Sequence, residues 1–192
     1  MKSSLLWRSF CLFVYLWLGV RSLGQGLPEA TIRWTGAEDL LWANAANWSP
    51  ARIPNAADHV VVEAPSGISI NLTGTRSIGS LRLGTEVGSG VTLNVQGTLV
   101  LAAGGEVGRG GRLIQTGNLS GAAVQVAGEY EWQTGRIYGL LQIASTGRLL
   151  LPDQAGRDLS SGNGGIPARI ENEGQVRWLL IRIWFLGSAK DG

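Results

Sequence analysis

Cysteine, histidine and methionine each occur once in this 192-residue chain. Lysine stands only at Lys2 and Lys190, so nearly all positive charge is arginine. The single cysteine, Cys11, excludes an internal disulfide framework. Any metal centre, Ser-His-Asp triad or Cys-His pair would have to be built on His59, which reads as a surface or cap histidine beside Asp58. No stretch beyond residue 24 keeps apolar residues at i, i+3, i+4 and i+7, which predicts essentially no helix. Sixteen basic residues against fourteen acidic ones leave no excess of positive charge to grip nucleic acid or an anionic membrane. The 29 glycines follow no strict period of three, which excludes collagen. Abundant Val, Leu and Ile argue against disorder.

The N-terminus is set apart by its pattern. Lys2 and Arg8 precede the apolar run Phe10–Val20, and small residues follow at Ser22 and Gly24. This reads as a signal peptide over residues 1–24, cleaved before Gln25. The run is shorter than the ~20 residues that span a bilayer, and Leu179–Leu186 is shorter still and holds Arg182. No integral membrane segment is therefore expected in the mature chain. Removing 24 of 192 residues leaves 168, enough for one domain with a core. It also removes Lys2, Arg8, Arg21 and Cys11, so the formal charge of +2 becomes −1. The expected location is secreted, extracellular or cell-surface.

What remains is rich in glycine, placed between short alternating segments such as Val91-Thr92-Leu93-Asn94-Val95 and Val124-Gln125-Val126. Period-two alternation predicts strands with one buried face. Gln115-Thr116-Gly117-Asn118-Leu119-Ser120-Gly121 returns eighteen residues later as Gln133-Thr134-Gly135-Arg136-Ile137-Tyr138-Gly139. The phrase Gly-x-apolar-x-apolar begins at Gly97, Gly128, Gly147 and Gly174, where glycine is expected to supply the positive φ of a corner. A near-copy at this spacing has the length of one coil of a β-solenoid. The expected fold is all-β, a single-stranded parallel β-helix with coils of about 18–20 residues. An antiparallel β-sandwich also fits short strands, though not the near-copy. Residues 25–66, with Trp34, Trp42 and Trp48 among Asn and Pro, read as an N-terminal cap. Residues 67–178 read as the repeats, and 179–192 as an incomplete last repeat or truncated tail.

Trp34-Thr35-Gly36 … Trp42 … Asn47-Trp48 … Pro54 … Asp58-His59-Val60-Val61-Val62 resembles the opening of large secreted bacterial proteins whose surface regions are β-helical repeats of the autotransporter or adhesin passenger type. Trp132–Gly139 and Ala168–Trp178 resemble the repeats of the same group, so the likeness covers most of residues 31–178. It implies a surface or extracellular structural role and brings no catalytic residues. The known relatives are usually longer, which adds the expectation of a fragment.

For chemistry, three carboxylate pairs have the spacing that glycosidic cleavage would use: Glu129 with Glu131, Asp153 with Asp158, and Glu171 with Glu173. Each reads more simply as the polar half of an alternating strand. The run Gly104–Gly111 lacks the Lys-Ser/Thr of a phosphate loop and reads as a turn between coils. Trp34, Trp42, Trp48 and Tyr138 are the candidate glycan contacts, by stacking on sugar faces, while Trp132 and Trp178 fall on the inward side. Asn47, Asn71 and Asn118 head glycosylation sequons. No cofactor or metal is expected. The partners expected are an extracellular glycan or a surface protein, with end-to-end self-association. The leading expectation is a non-catalytic structural or adhesive module. The alternatives are a carbohydrate-active enzyme on the same scaffold and a glycan-binding module.

Overall fold

The computed structural model describes residues 30–65, 67–85, 90–153, 155–161 and 167–179; the expected signal peptide over 1–24 and the expected incomplete repeat beyond Leu179 lie outside the described residues. Among those residues there are seventeen strands, one 3-10 turn (Ala45–Asn47) and no α-helix. In chain order the strands are β1 (Thr31–Trp34), β2 (Trp48–Ser49), β3 (His59–Val62), β4 (Ile68–Leu72), β5 (Thr75–Leu83) and β6 (Val91–Val95). They continue with β7 (Thr98–Val107), β8 (Gly111–Gln115), β9 (Asn118–Gly121), β10 (Val124–Val126), β11 (Glu129–Trp132) and β12 (Gly135–Tyr138). The last are β13 (Leu140–Ile143), β14 (Arg148–Pro152), β15 (Arg157–Leu159), β16 (Arg169–Asn172) and β17 (Gln175–Leu179).

The protein is all-β and its sheets are parallel, apart from the antiparallel pair β1–β2. A six-stranded sheet runs β17-β14-β11-β8-β6-β4. Ile68 pairs with Val91, Val91 with Gly111, Arg112 with Glu129, Glu129 with Arg148 and Arg148 with Gln175, in steps of 23, 20, 17, 19 and 27 residues. An eleven-stranded sheet holds the rest. Its long strand β7 pairs through Thr98–Leu101 with β9 and through Gly105–Val107 with β10, so two short strands take over from one long one. The echoed segments are direct neighbours: Leu119 lies opposite Ile137 in parallel register.

Alternation becomes burial as strand geometry requires. β6 and β8 are each buried at their first, third and fifth residues. The third residues of β4, β6 and β8 and the second residues of β11 and β14 form a row, Ile70–Leu93–Leu113–Tyr130–Leu149, each opposite the next and at most 2 % exposed. A second row, Leu99–Leu119–Ile137, comes from the other sheet and ends at the exposed Leu159. Buried residues of both sheets join one cluster from Ile32 to Leu151. Each buried Leu, Ile or Val contributes roughly 1.5–3 kcal/mol against exposure, so this repeated burial replaces the disulfides that the chain lacks.

The corner glycines act differently from the expectation. Gly97, Gly128, Gly147 and Gly174 do not have positive φ; among the described residues nine other glycines do. What the four require is the absence of a side chain. A Cβ on Gly97 would lie 1.9 Å from the Gly74 oxygen, and one on Gly128 would lie 2.0 Å from that of Gly108. The same holds at Gly147, 2.1 Å from the Val126 oxygen, and at Gly174, 2.4 Å from that of Gly147. Successive corners stack backbone on backbone, and a methyl group would push them apart. The run Gly104–Gly111 also differs from a simple turn. Residues up to Val107 belong to β7, and only Gly108–Gly110 turn.

The N-terminal segment covers the first strands of both sheets. β1 pairs with β3, and β2 closes over β1. Residues 40–42 lie along β4, with Asn71 N–H donating to the Leu40 oxygen and Trp42 N–H to the Asn71 oxygen. β3 already pairs in parallel with β5, so the sheet register begins before the boundary at residue 66. Asp58 accepts from both terminal nitrogens of Arg52 at 2.6 Å and from Asn55 N–H at 2.7 Å. The Arg52 guanidinium holds its carboxyl below the usual carboxylate range. Its backbone oxygen accepts from Gly79 and Ser80 at the register shift of β5.

Candidate functional site

The tryptophans expected to meet sugars are interior residues. Trp34, Trp42 and Trp48 are 7, 0 and 2 % exposed. Trp48 sits between the other two, with edge-on contacts at centroid distances of 4.9 Å to Trp34 and 4.6 Å to Trp42. Its indole N–H donates to the Trp42 oxygen. Their faces are covered by one another and by the core, so they cannot serve as stacking platforms; a tryptophan-rich loop looks alike in sequence whether its rings face in or out. Tyr138 is half-buried at the end of β12, and its hydroxyl accepts from Arg136 at 3.4 Å. Trp132 is buried as expected. Trp178 lies opposite Leu151 yet is 65 % exposed, because no described strand lies beyond β17. The Arg157 guanidinium stands 6.0 Å from its ring centre.

The three sequon asparagines work within the fold. Asn47 is fully buried, donates to Asp39 and to the Leu41 oxygen, and accepts from the N–H groups of Glu38 and Asp39. Asn71 accepts from Asn94 at 3.0 Å in a cross-strand ladder, and Asn118 accepts from Arg136 N–H at 3.0 Å.

Each candidate acid pair has at least one member tied to arginine, while Glu173, like Asp153, is exposed. Glu129 and Glu131 flank one guanidinium, that of Arg112. Arg112 Nε lies 2.9 Å from Glu129 Oε1, at an angle that makes this an ion pair without a hydrogen bond. Its Nη2 bonds Glu131, which also accepts from Gln133 at 2.7 Å. Asp158 pairs with Arg136 at 3.2 Å and accepts from Ser160, while Asp153 is exposed. Glu171 accepts from Arg169 at 2.7 Å and Gln142 at 2.9 Å, and these bonds hold its carboxyl below the usual range. A general acid needs a carboxyl that keeps its proton near neutral pH, normally by burial away from cations. At Glu171 the bonds from Arg169 and Gln142 do the reverse.

His59 is half-buried and its Nδ1 meets the Ser80 hydroxyl. The neighbouring carboxylate, Asp58, is engaged by Arg52 and Asn55. Among the described residues no group of three His, Cys, Asp or Glu side chains is arranged to hold a metal ion.

The His59–Ser80 pair marks one end of a shallow depression of about 370 Å³ over Gly104 and Gly105. The sequence hid this feature, since it depends on register: Arg82, Glu106, Gln125, Gln142 and Glu171 are successive partners across β5, β7, β10, β13 and β16. They make one outward row beside the small residues Ser80, Gly104 and Ala123. Arg82 and Glu106 approach to 3.6 Å. A row of guanidinium, carboxylate and amide groups spaced by one strand, about 4.8 Å, can hydrogen-bond an extended polar ligand. No helix among the described residues is long and apolar enough to cross a membrane.

No family model matches this chain, and no curated protein or solved structure matches it.

Proposed function

We propose that this chain is a secreted, cell-surface structural or adhesive module built as a single-stranded parallel β-helix. Each coil passes once through the six-stranded sheet and crosses the larger one either as one long strand or as two short ones. The first residues act as a cap of the autotransporter or adhesin passenger type. The observation that carries this reading is the parallel register in which corresponding segments pair from one copy to the next, Leu119 on Ile137 among them. Such stacking makes a rigid rod whose outward rows repeat at a fixed spacing, suited to presenting contacts without moving parts. The arginine partners of the candidate acids favour a passive surface over the carbohydrate-active alternative.

The test uses the purified chain coated on beads and passed over cell monolayers and polysaccharide-coated surfaces, with the effluent assayed for new reducing ends. Retention without turnover is expected. Release of reducing ends in proportion to protein would contradict the passive reading, and failure to be retained on any surface would contradict the adhesive one.

A further inference from the structure

A second recess lies on the outer side of the six-stranded sheet, and it arises from unequal corners. Three residues, 108–110, join β7 to β8, and four, 144–147, join β13 to β14. Between them only Ala127 and Gly128 join β10 to β11. The short corner is set back between two longer ones and leaves a notch of about 260 Å³. Arg109 projects from one wall, Arg148 and Thr146 stand on the other, and Glu129 lies at the base.

Among the described residues the charges there do not cancel. Arg112 lies between Glu129 and Glu131, and Arg148 approaches Glu129 only to 3.8 Å. Arg109 is exposed and has no hydrogen-bonding or ionic partner among the described residues. Three guanidinium groups therefore face two carboxylates, and two of the three border the recess.

We propose that this notch binds the anionic substituent of an acidic sugar, a carboxylate or a sulfate carried on a hydroxylated ring. The proposal rests on the reading of the chain as a surface-binding module and names its ligand class. Guanidinium groups on both walls suit an oxyanion by charge and planar geometry. Glu129 at the base repels a bare anion but accepts from a neighbouring hydroxyl, which selects an anion that also carries hydroxyl groups. The space is below the ~300–1,000 Å³ of pockets for drug-sized ligands, so it takes about one ring, and its charged lining disfavours an apolar side chain of a protein partner. A surplus of one positive charge is too small for the many phosphate contacts of a nucleic acid.

The experiment titrates the full chain with oligogalacturonate, a sulfated galactan oligomer and its unsulfated counterpart, and separately with sodium acetate and sodium sulfate. At least one acidic oligomer should bind, the neutral one at least tenfold more weakly, and added salt should weaken the complex. Arg109→Gln should lower affinity at least tenfold, and Arg109→Gln with Arg148→Gln should abolish binding. Arg33→Gln, on β1, should change nothing, and circular dichroism should show the same fold in all variants. The carboxylated and sulfated arms tell which substituent is preferred, and binding of either supports the assignment. The assignment is overturned if no acidic oligomer binds, if the neutral one binds equally, if Arg109→Gln binds like the parent, or if acetate or sulfate alone binds as tightly. Retention on cell surfaces without acidic-sugar binding would sink this assignment and leave the surface-module reading intact. Cleavage of a bound oligomer would do the opposite.

Discussion

Gly117 and Gly135 show how strictly single atoms govern this fold. A Cβ on Gly117 would lie 1.8 Å from the Gly97 oxygen, and one on Gly135 would lie 1.7 Å from the Gly117 oxygen. Backbone cannot yield as a flexible side chain does, so Gly117→Ala should cost roughly 3 kcal/mol, the upper range for overpacking. Gly67, with φ +88° and nothing within 4 Å of an added Cβ, should lose only about 1–2 kcal/mol as alanine, the cost of the left-handed backbone alone. Urea unfolding of the two variants checks the ordering. Gln115 is the complementary case, a fully buried amide in an apolar row between Val95 and Trp132. Its Nε2 donates to the oxygens of Gly117 and Arg136, and its Oε1 accepts from the Tyr130 hydroxyl. Tyr130→Phe leaves that acceptor unpaired and should cost about 1–3 kcal/mol. Burial pushes the Tyr130 phenol up from its ordinary value. Its contribution is therefore fully present below the unfolded-state value near pH ~10 and falls as pH rises above it, because the unfolded chain releases the proton first. The parent should lose stability above that pH, and the Phe variant should lack this component in denaturant titrations at pH 8–11.

At the scale of elements, the cap and the last described strand make opposite predictions for the same residue type. Trp42→Ala removes a fully buried ring that contacts Trp48 beside the segment covering β4. It should cost about 3–5 kcal/mol and raise light scattering by opening a strand edge. Trp178→Ala, at a site 65 % exposed, should stay within about 0.5 kcal/mol of the parent. Equal losses would contradict the assigned burial. The strands were legible because alternation is local: Val91–Val95 and Gly111–Gln115 state their buried faces in the order of their residues. The role of the corner glycines was not, because positive φ and close backbone approach both demand glycine and only the stacked structure separates them. The same limit applies to Trp34, Trp42 and Trp48, whose grouping was visible but whose ring orientation depends on packing. The depression over Gly104 and the notch beside Arg109 were invisible for another reason. The first needs the register of several strands, and the second needs a difference of one or two residues between corners that are neighbours only in space.

At the scale of the molecule, stability comes from neighbours stacked at a nearly constant step, with each strand buried by the one before and the one after. The steps through the six-stranded sheet range from 17 to 27 residues. Insertions thus fall at corners while the inward rows stay aligned. This tolerance lets outer faces vary, as the surface-module reading requires, while the interior repeats. Successive copies lie directly on one another, and methyl-labelled NMR tests this without perturbing the core. Leu119 should show cross-peaks to both Leu99 and Ile137, its partners about one strand spacing, ~4.8 Å, away on either side. A Leu119 that contacts neither residue, while its methyl groups meet others of the core, would contradict the stacked parallel register and the proposed function that rests on it.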